Sequence, residues 1–320
     1  MPIYFAPLEG VTDAIFRRVH RACFSGVDKY FIPFVSPTQN LFFTPKDLSA
    51  IAPEHNDTYF AVPQLMAKDA ALFLWAAHEL QGMGYPEINL NLGCPSGTVT
   101  AKGKGSGLLR TPDALRALLD EIFAHTPIPV SVKTRIGFAS PDEWPALMDI
   151  LADYPIHELI VHPRTRVEFY KGRPHREAYE EALHRFRCPV VYNGDLFSLA
   201  DCERLLADCP ATSALMLGRG LISHPALARE MKGGEGLTLA ALVDFHDRLL
   251  EAYVIRGPDS FALTRMRYVM MNMGMCFVNP DRALRNILKE KTVAGYSAAV
   301  RRLFEEHEMR NPPRFGEAYE

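Results

Sequence analysis

A (β/α)8 barrel followed by a small helical bundle is the architecture this 320-residue sequence predicts, and three observations predict it. Eight short apolar runs alternate with amphipathic helical stretches, the pattern of a parallel sheet closed on itself. Polar residues close these runs on their C-terminal side, where barrels of this kind carry their chemistry. After Lys232–Gly236 (KGGEG), which reads as a linker, the runs stop and the rest of the chain reads as helix.

The eight runs are IYFAP from Ile3, YFIPFV from Tyr30, YFAVPQL from Tyr59, EINLNLG from Glu87, VSVKTRIG from Val130, ELIVHPR from Glu158, VVYNG from Val190 and ALMLGRG from Ala214. Between them, DAALFLWAAHELQGMG from Asp69, PDALRALLDEIFAHT from Pro112 and LADCERLLADC from Leu199 carry the 3.6-residue apolar period of helices in an outer ring. Thr111 and Ser198 stand where N-terminal caps belong. The expected boundaries are a barrel over 1–235 and a helical domain over 237–320, the latter built from LTLAALVDFHDRLLEAYVI, FALTRMRYVMMNMGMCF, DRALRNILKEK and AGYSAAVRRLFEEHEM.

Composition narrows the class of protein. With 48% hydrophobic and 23% charged residues the chain has the make-up of an ordinary soluble globular protein. MPIYFAPLEG lacks a basic segment followed by an apolar one, and no run of about 18 apolar residues occurs, so a cytoplasmic protein without a membrane span is expected. Six scattered cysteines fit reduced thiols, and Cys202 and Cys209, although seven apart on one helical stretch, lack the partners of a metal set. No metal is expected, and a monomer is the simplest expectation. The net charge of −3 argues against a globally basic nucleic-acid binder, yet Phe261 to Arg302 holds eight basic residues, Arg265 and Arg267 among them, against two acidic ones, a local charge of +6.

The strand ends read Pro7-Leu8-Glu9, Gln64, Asn91 with Cys94, Lys133 with Arg135, His162 with Arg164, Asn193-Gly194-Asp195 and Gly218-Arg219-Gly220. The last two follow strands seven and eight, whose loops form a recurrent phosphate site, although a tight turn also explains such a glycine triplet. Lys133 alternates with Val130, Val132 and Thr134, which points its ammonium into the barrel mouth; an anionic ligand or a salt bridge to Glu9 or Asp195 would satisfy it. Cys94, in NLGCPSGT, sits where a loop leaves the barrel top, beside Asn91, an amide able to hold a planar substrate. The run AKGKGSGLL follows, and its Lys102 and Lys104 could meet phosphates. Most lone cysteines are small buried hydrophobes, but a thiol at this position can act as nucleophile or general acid. His162 is the only histidine at a strand end.

With those residues in place, the chain resembles the tRNA-dihydrouridine synthases along nearly its whole length. The motifs are APLEGVTD at Ala6, VPQLMA at Val62, INLNLGCPSGTVTAKGKGSGLL at Ile88, SVKTRIG at Ser131, IVHPRTR at Ile160, YNGDL at Tyr192 and LGRGLI at Leu217. The resemblance implies an FMN-bound barrel with a C-terminal helical tRNA-binding domain, which reduces the uracil carbon 5 to carbon 6 double bond with electrons from NADPH, most often in the D-loop. It also implies that Pro7, Leu8, Glu9, Gln64, Lys133, His162, Asn193, Gly194, Asp195, Gly218 and Arg219 contact FMN. Cys94 is then the acid, and Asn91, Arg164 and Arg166 face the substrate. In that chemistry hydride reaches uracil carbon 6 from reduced FMN and Cys94 delivers a proton to carbon 5 from the opposite face. A thiol suits this, because its ordinary pKa of about 8.5 keeps it mostly protonated at neutral pH. Extruding a uridine from folded tRNA costs a few kcal/mol, to be offset by phosphate contacts from Lys102, Lys104 and the basic helical segment. Leu8 where methionine is more usual, and Pro163 where glycine is frequent, leave the subfamily and the target uridine open.

Two other readings share these residues. A flavin barrel acting on a free pyrimidine would keep the lysine and the phosphate glycines but would have no need of a basic bundle. An RNA-binding protein without catalysis would keep the bundle but have no need of Cys94 and Lys133.

Overall fold

The computed structural model describes residues 1–57 and 60–310. Eight parallel strands close a barrel in sequence order: β1 (Ile3–Phe5), β2 (Lys29–Val35), β3 (Ala61–Leu65), β4 (Ile88–Leu92), β5 (Val130–Gly137), β6 (Leu159–Thr165), β7 (Val190–Tyr192) and β8 (Ala214–Leu217). Each corresponds to one of the eight apolar runs. The third run was expected from Tyr59, which lies outside the described residues, and its strand begins at Ala61.

Helices cover the outer face of the sheet, so the strands are buried almost throughout. The interior is filled by Tyr4, Ala6, Phe31, Val62, Ile160, Val191, Ala214 and Met216, which alternate with outward-facing residues along their strands. In register, Gln64 lies beside Asn89, Asn91 beside Lys133, and Arg135 beside His162. The apolar plug therefore passes into a polar layer toward the C-terminal ends of β3 to β6.

The other end of the barrel is closed by charge. Lys29 Nζ bonds Glu87 at 2.7 Å and Glu158 at 3.0 Å, and the Tyr4 hydroxyl donates to Glu158 at 2.7 Å. Burial works against the Lys29 ammonium, but the two carboxylates outweigh it and its pKa is raised.

The helix starts follow local rules unevenly. Asp69 accepts from Leu72 N to open the helix Ala70–Gly82. Ser198 accepts from Asp201 N at 3.1 Å while the Asp201 carboxylate takes Ser198 N at 3.0 Å, a reciprocal cap for Leu199–Asp208. Thr111 does not cap Pro112–His125 with its side chain; the proline at the first position removes one of the orphan donors a cap would serve. Cys202 lies on this helix and Cys209 directly follows its last residue, Asp208. Both thiols are buried and free, and among the described residues no group of three His, Cys, Asp or Glu side chains is placed to hold a metal ion. No described helix is long and apolar enough to cross a membrane.

The chain forms two compact units. One comprises Met1–Pro7, Asp28–Asp195 and Leu205–Met216; the other comprises Leu8–Val27, Leu196–Arg204 and the chain from Leu217 onward. The second contains four long helices, Leu239–Arg256, Asp259–Met273, Asp281–Lys289 and Val293–Glu306, where the four C-terminal helical stretches were expected. It also takes in the helix Ala14–Cys23, whose Phe16 and His20, with Phe24 after it, meet the Phe245 ring edge-on at 5.4–5.9 Å. His20 is fully buried, and burial drives its pKa down to about 3, so it serves as a neutral hydrogen-bonding ring in this core.

Candidate active site

The polar layer is one directed chain of hydrogen bonds. Ser131 Oγ donates to Ile88 O at 3.3 Å, Asn89 Nδ2 to Ser131 Oγ at 2.9 Å, Gln64 Nε2 to Asn89 Oδ1 at 2.8 Å, and Asn91 Nδ2 to Gln64 Oε1 at 2.7 Å. Asn91 Oδ1 then accepts from Gly93 N at 3.0 Å and Cys94 N at 2.9 Å. Both functional ends of the Asn91 amide are thus engaged by protein. Expected to hold a substrate, it fixes the loop that carries Cys94.

That loop is also held from its far side. Ser106 Oγ donates to Cys94 O at 2.7 Å. Gly105 adopts φ +57°, and a Cβ there would lie 3.0 Å from Cys94 Cβ, so glycine is needed on both counts. Cys94, partly exposed, ends up presented by two backbone clamps.

Lys133 stands in the next strand, partly exposed, and its Nζ forms no ion pair among the described residues. Burial, and then the neighbouring Arg135, bring its pKa down to about 7, with Cys94 acting weakly in the opposite sense. The salt bridge to Asp195 considered from sequence is not formed, because Asp195 is taken by Arg164. Arg135, two residues on and facing the same way, is buried and donates to Gly93 O at 2.9 Å and to Thr165 O and Phe169 O at 2.8 Å. It ties the Cys94 loop to the loop after β6. Arg135 was read with Lys133 at a strand end but given no role, and Asn89 was not singled out, although the two-residue period of β4 and β5 places both on the inward face.

Arg164 was expected to face the substrate and does not. Its side chain is 0% exposed: it forms a two-point pair with Asp195, donates to Lys171 O at 3.1 Å and Gly172 O at 2.5 Å, and Nη1 lies 3.2 Å from His162 Nε2. A guanidinium only donates, so His162 Nε2 is the acceptor and its ring is the neutral Nδ1–H form. Asn193 donates to Met216 O at 2.8 Å, and at Gly194 any Cβ would fall 2.4 Å from the Tyr192 hydroxyl. Arg166 is held through Nε to Pro95 O at 3.1 Å, next to Cys94. Lys102 and Lys104 lie on the loop after β4 with Lys68 nearby; burial and then those two cations depress the Lys104 pKa. Pro7 follows β1 and is half-buried.

The remaining candidates belong to the second unit. Leu8 O accepts from Val11 N and Thr12 N at 3.0 Å, in a turn that Gly10 completes at φ +81°, and Glu9 is exposed on it. Gly218 precedes the short helix Arg219–Ser223, and Arg219 stacks over Phe197 at 5.5 Å. Arg265 and Arg267, expected at a nucleic acid, are used internally: Arg265 donates to Gly10 O at 2.6 Å and stands 3.6 Å from Asp13, and Arg267 donates to Glu290 O. Arg282 and Arg302 instead line an open cleft of about 530 Å³ with Asn286 and His307.

A thiol, an uncompensated lysine and a neutral histidine gathered at the C-terminal ends of β4 to β6 make a site for an electron-rich ring and a proton transfer. Lys133 and the amide layer fit the anionic edge of a reduced flavin, because the Lys133 ammonium has no carboxylate partner among the described residues. The model of the family described as dihydrouridine synthase (Dus) matches residues 4–254. A tRNA-dihydrouridine(16) synthase of Pseudomonas putida is 34% identical over 255 residues, 77% of this chain and 76% of its own. A probable tRNA-dihydrouridine synthase of Staphylococcus aureus is 30% identical over 257 residues, 78% of this chain and 77% of its own. The solved structure of a morphinone reductase overlays with a TM-score of 0.49 at 11% identity, over 74% of this chain and 87% of its own. The chain belongs to the dihydrouridine synthase family, and so is a flavin-dependent oxidoreductase.

Proposed function

We propose that this protein reduces uridine in tRNA to 5,6-dihydrouridine, with Cys94 as the proton donor. The observation that carries the reading is the presentation of Cys94: backbone clamps from Asn91 and Ser106, beside a lysine that forms no ion pair among the described residues. When bound, FMN supplies the hydride for uracil carbon 6, and NADPH is the proposed source of its electrons.

The chain's own residues do the rest. Lys133 offers its ammonium, and His162 its Nδ1–H, to the polar edge of the cofactor, with Gln64, Asn193 and Gly194 lining the same strand ends. Pro7, Leu8, Glu9, Asp195, Gly218 and Arg219 remain proposed cofactor contacts on their sequence motifs. Arg164 acts at one remove, holding the tautomer of His162 and the carboxylate of Asp195. Cys94 Sγ–H releases its proton to uracil carbon 5 and is later reprotonated from solvent. Lys102 and Lys104 contact RNA phosphates, and the helices from Leu239 on contribute the rest of the tRNA-binding surface. The relatives named tRNA-dihydrouridine(16) synthases make position 16 the first target to examine. Location in the cytoplasm, where tRNA is modified, belongs to the same proposal.

The test is mass mapping of dihydrouridine in tRNA from a strain lacking this gene, with wild type or Cys94→Ala restored. Loss of a dihydrouridine that returns only with the wild-type gene is the expected result. An unchanged pattern, in a strain where no other synthase accounts for it, would sink the tRNA assignment and favour a free pyrimidine as substrate.

A further inference from the structure

Beside Cys94 the first unit carries an alternating ladder of cations and rings. Arg110 lies over the Phe138 ring at 4.6 Å, Arg166 over the same ring at 5.3 Å, and Arg166 also over the Phe169 ring at 5.0 Å. The hydrogen bond from Arg166 to Pro95 O fixes this ladder one residue from Cys94.

Its outer rung is held in an unusual way. Phe169 adopts φ 53°, a left-handed conformation that a bulky side chain disfavours. With Arg166 against its ring it is still 40% exposed, and its neighbours Val167 and Tyr170 are 48% and 41% exposed. The loop is nevertheless firmly pinned. Arg135 donates to Phe169 O, Glu168 accepts from Thr165 N at 2.5 Å and from its hydroxyl at 2.9 Å, and His175 closes on Glu168 at 2.7 Å. Strain and exposed apolar area maintained on a rigid loop next to a reacting group mark a surface shaped for a ligand.

We propose that Phe169, backed by Arg166 and Phe138, is a stacking platform for an unpaired base adjacent to the target uridine of the RNA. A ring backed by a guanidinium accepts any base face, and the flanking Arg110 and Arg166 supply positive charge to the phosphates on either side of it. The proposal rests on the reading of this chain as a tRNA-modifying enzyme. It adds that a target uridine is favoured where the neighbouring nucleotide is unpaired and free to stack, whatever its base.

The test is the affinity of the full-length protein for an unmodified tRNA transcript, by fluorescence anisotropy across a salt series. Phe169→Gly removes the ring and suits the left-handed backbone, so the loop keeps its course. It should weaken binding by about tenfold at every salt concentration, leaving the salt slope unchanged, because a stack releases no counterions. Phe169→Trp should bind as wild type or tighter, and Arg166→Gln should lower the slope by about one contact. If Phe169→Gly binds as wild type does, the platform is refuted. A change in self-association without a change in RNA affinity would also refute it, assigning the patch to a protein interface. A wild-type protein that forms no dihydrouridine but still loses RNA affinity with Phe169→Gly would keep the platform and overturn the catalytic reading instead.

Discussion

Two lysines of the same barrel stand in opposite environments. Lys29, at the N-terminal end, is gripped by Glu87 and Glu158 over the Tyr4 ring, and its charge is reinforced. Lys133, toward the C-terminal end, forms no ion pair among the described residues, has Arg135 beside it, and its pKa is brought down to about 7. Both are partly buried, so depth alone does not separate them; the supply of carboxylates does. A compensated charge holds the fold together, whereas an uncompensated one is a binding group kept ready for a ligand at a cost in stability.

The comparison is broken most severely at the reactive end. Cys94→Ala removes the proton donor and should cut dihydrouridine formation by roughly 10²- to 10⁴-fold, the usual range for a positioned general acid. Single-turnover assays on an unmodified tRNA transcript, with tRNA affinity measured in parallel, would check this. A loss below about tenfold would hand the proton to solvent or another group. At the opposite end, Lys29→Met leaves two carboxylates facing each other without their cation. Discounted for its partial exposure, the change should cost about 2–3 kcal/mol in urea unfolding while the activity per folded molecule stays at the wild-type level. A drop in specific activity would mean that the two ends are not separable.

The barrel was legible because its strands are buried on both faces and so read as continuous apolar runs, and because β4, β5 and β6 interrupt that pattern with Asn91, Lys133 and His162. What the sequence could not show is how each polar group is used. Arg164 and Asn91 look like substrate contacts at strand ends, yet one is spent on Asp195 and two carbonyls, and the other on Gln64 and the Cys94 loop. Those partners come from β3, the loop after β6 and the end of β7, up to 31 residues away. The internal bonds of Arg265 and Arg267 were hidden for the same reason, since a run of basic residues on a helix carries no mark of which ones also bond the protein. Phe169 was invisible because its backbone conformation and exposure, not its identity, set it apart.

The lowered pKa of Lys133 makes the comparison measurable by pH. In the flavin-free protein the folded state gives up the Lys133 proton near pH 7, whereas the unfolded chain holds it to about 10.5. Between those values the unfolded state binds more protons, so stability contributed by this group rises with pH, at most by about 1.4 kcal/mol per pH unit. Lys133→Met should therefore be more stable than wild type at pH 6, with the gap closing toward pH 10 in urea titrations of the flavin-free protein. A pH-independent gap would mean that Lys133 stays charged and has found a partner.

The smallest effect sharpens the site end itself. Asn89 touches neither Cys94 nor the barrel mouth, but it anchors the far end of the amide chain through Gln64 and Asn91. Asn89→Ala strands the Gln64 amide in a buried layer and leaves the Ser131 hydroxyl only its bond to Ile88 O, which should cost about 1–2 kcal/mol of stability. With Gln64 free to turn, Asn91 holds Cys94 N less firmly, and a misplaced acid slows the chemical step without touching RNA binding. A fall in kcat by about fivefold at unchanged tRNA affinity is expected, small beside Cys94→Ala because the acid is still present. Unchanged kcat in a variant that has lost the expected stability would confine the network to holding the barrel together and leave the aim of Cys94 to Ser106 and Gly105 alone.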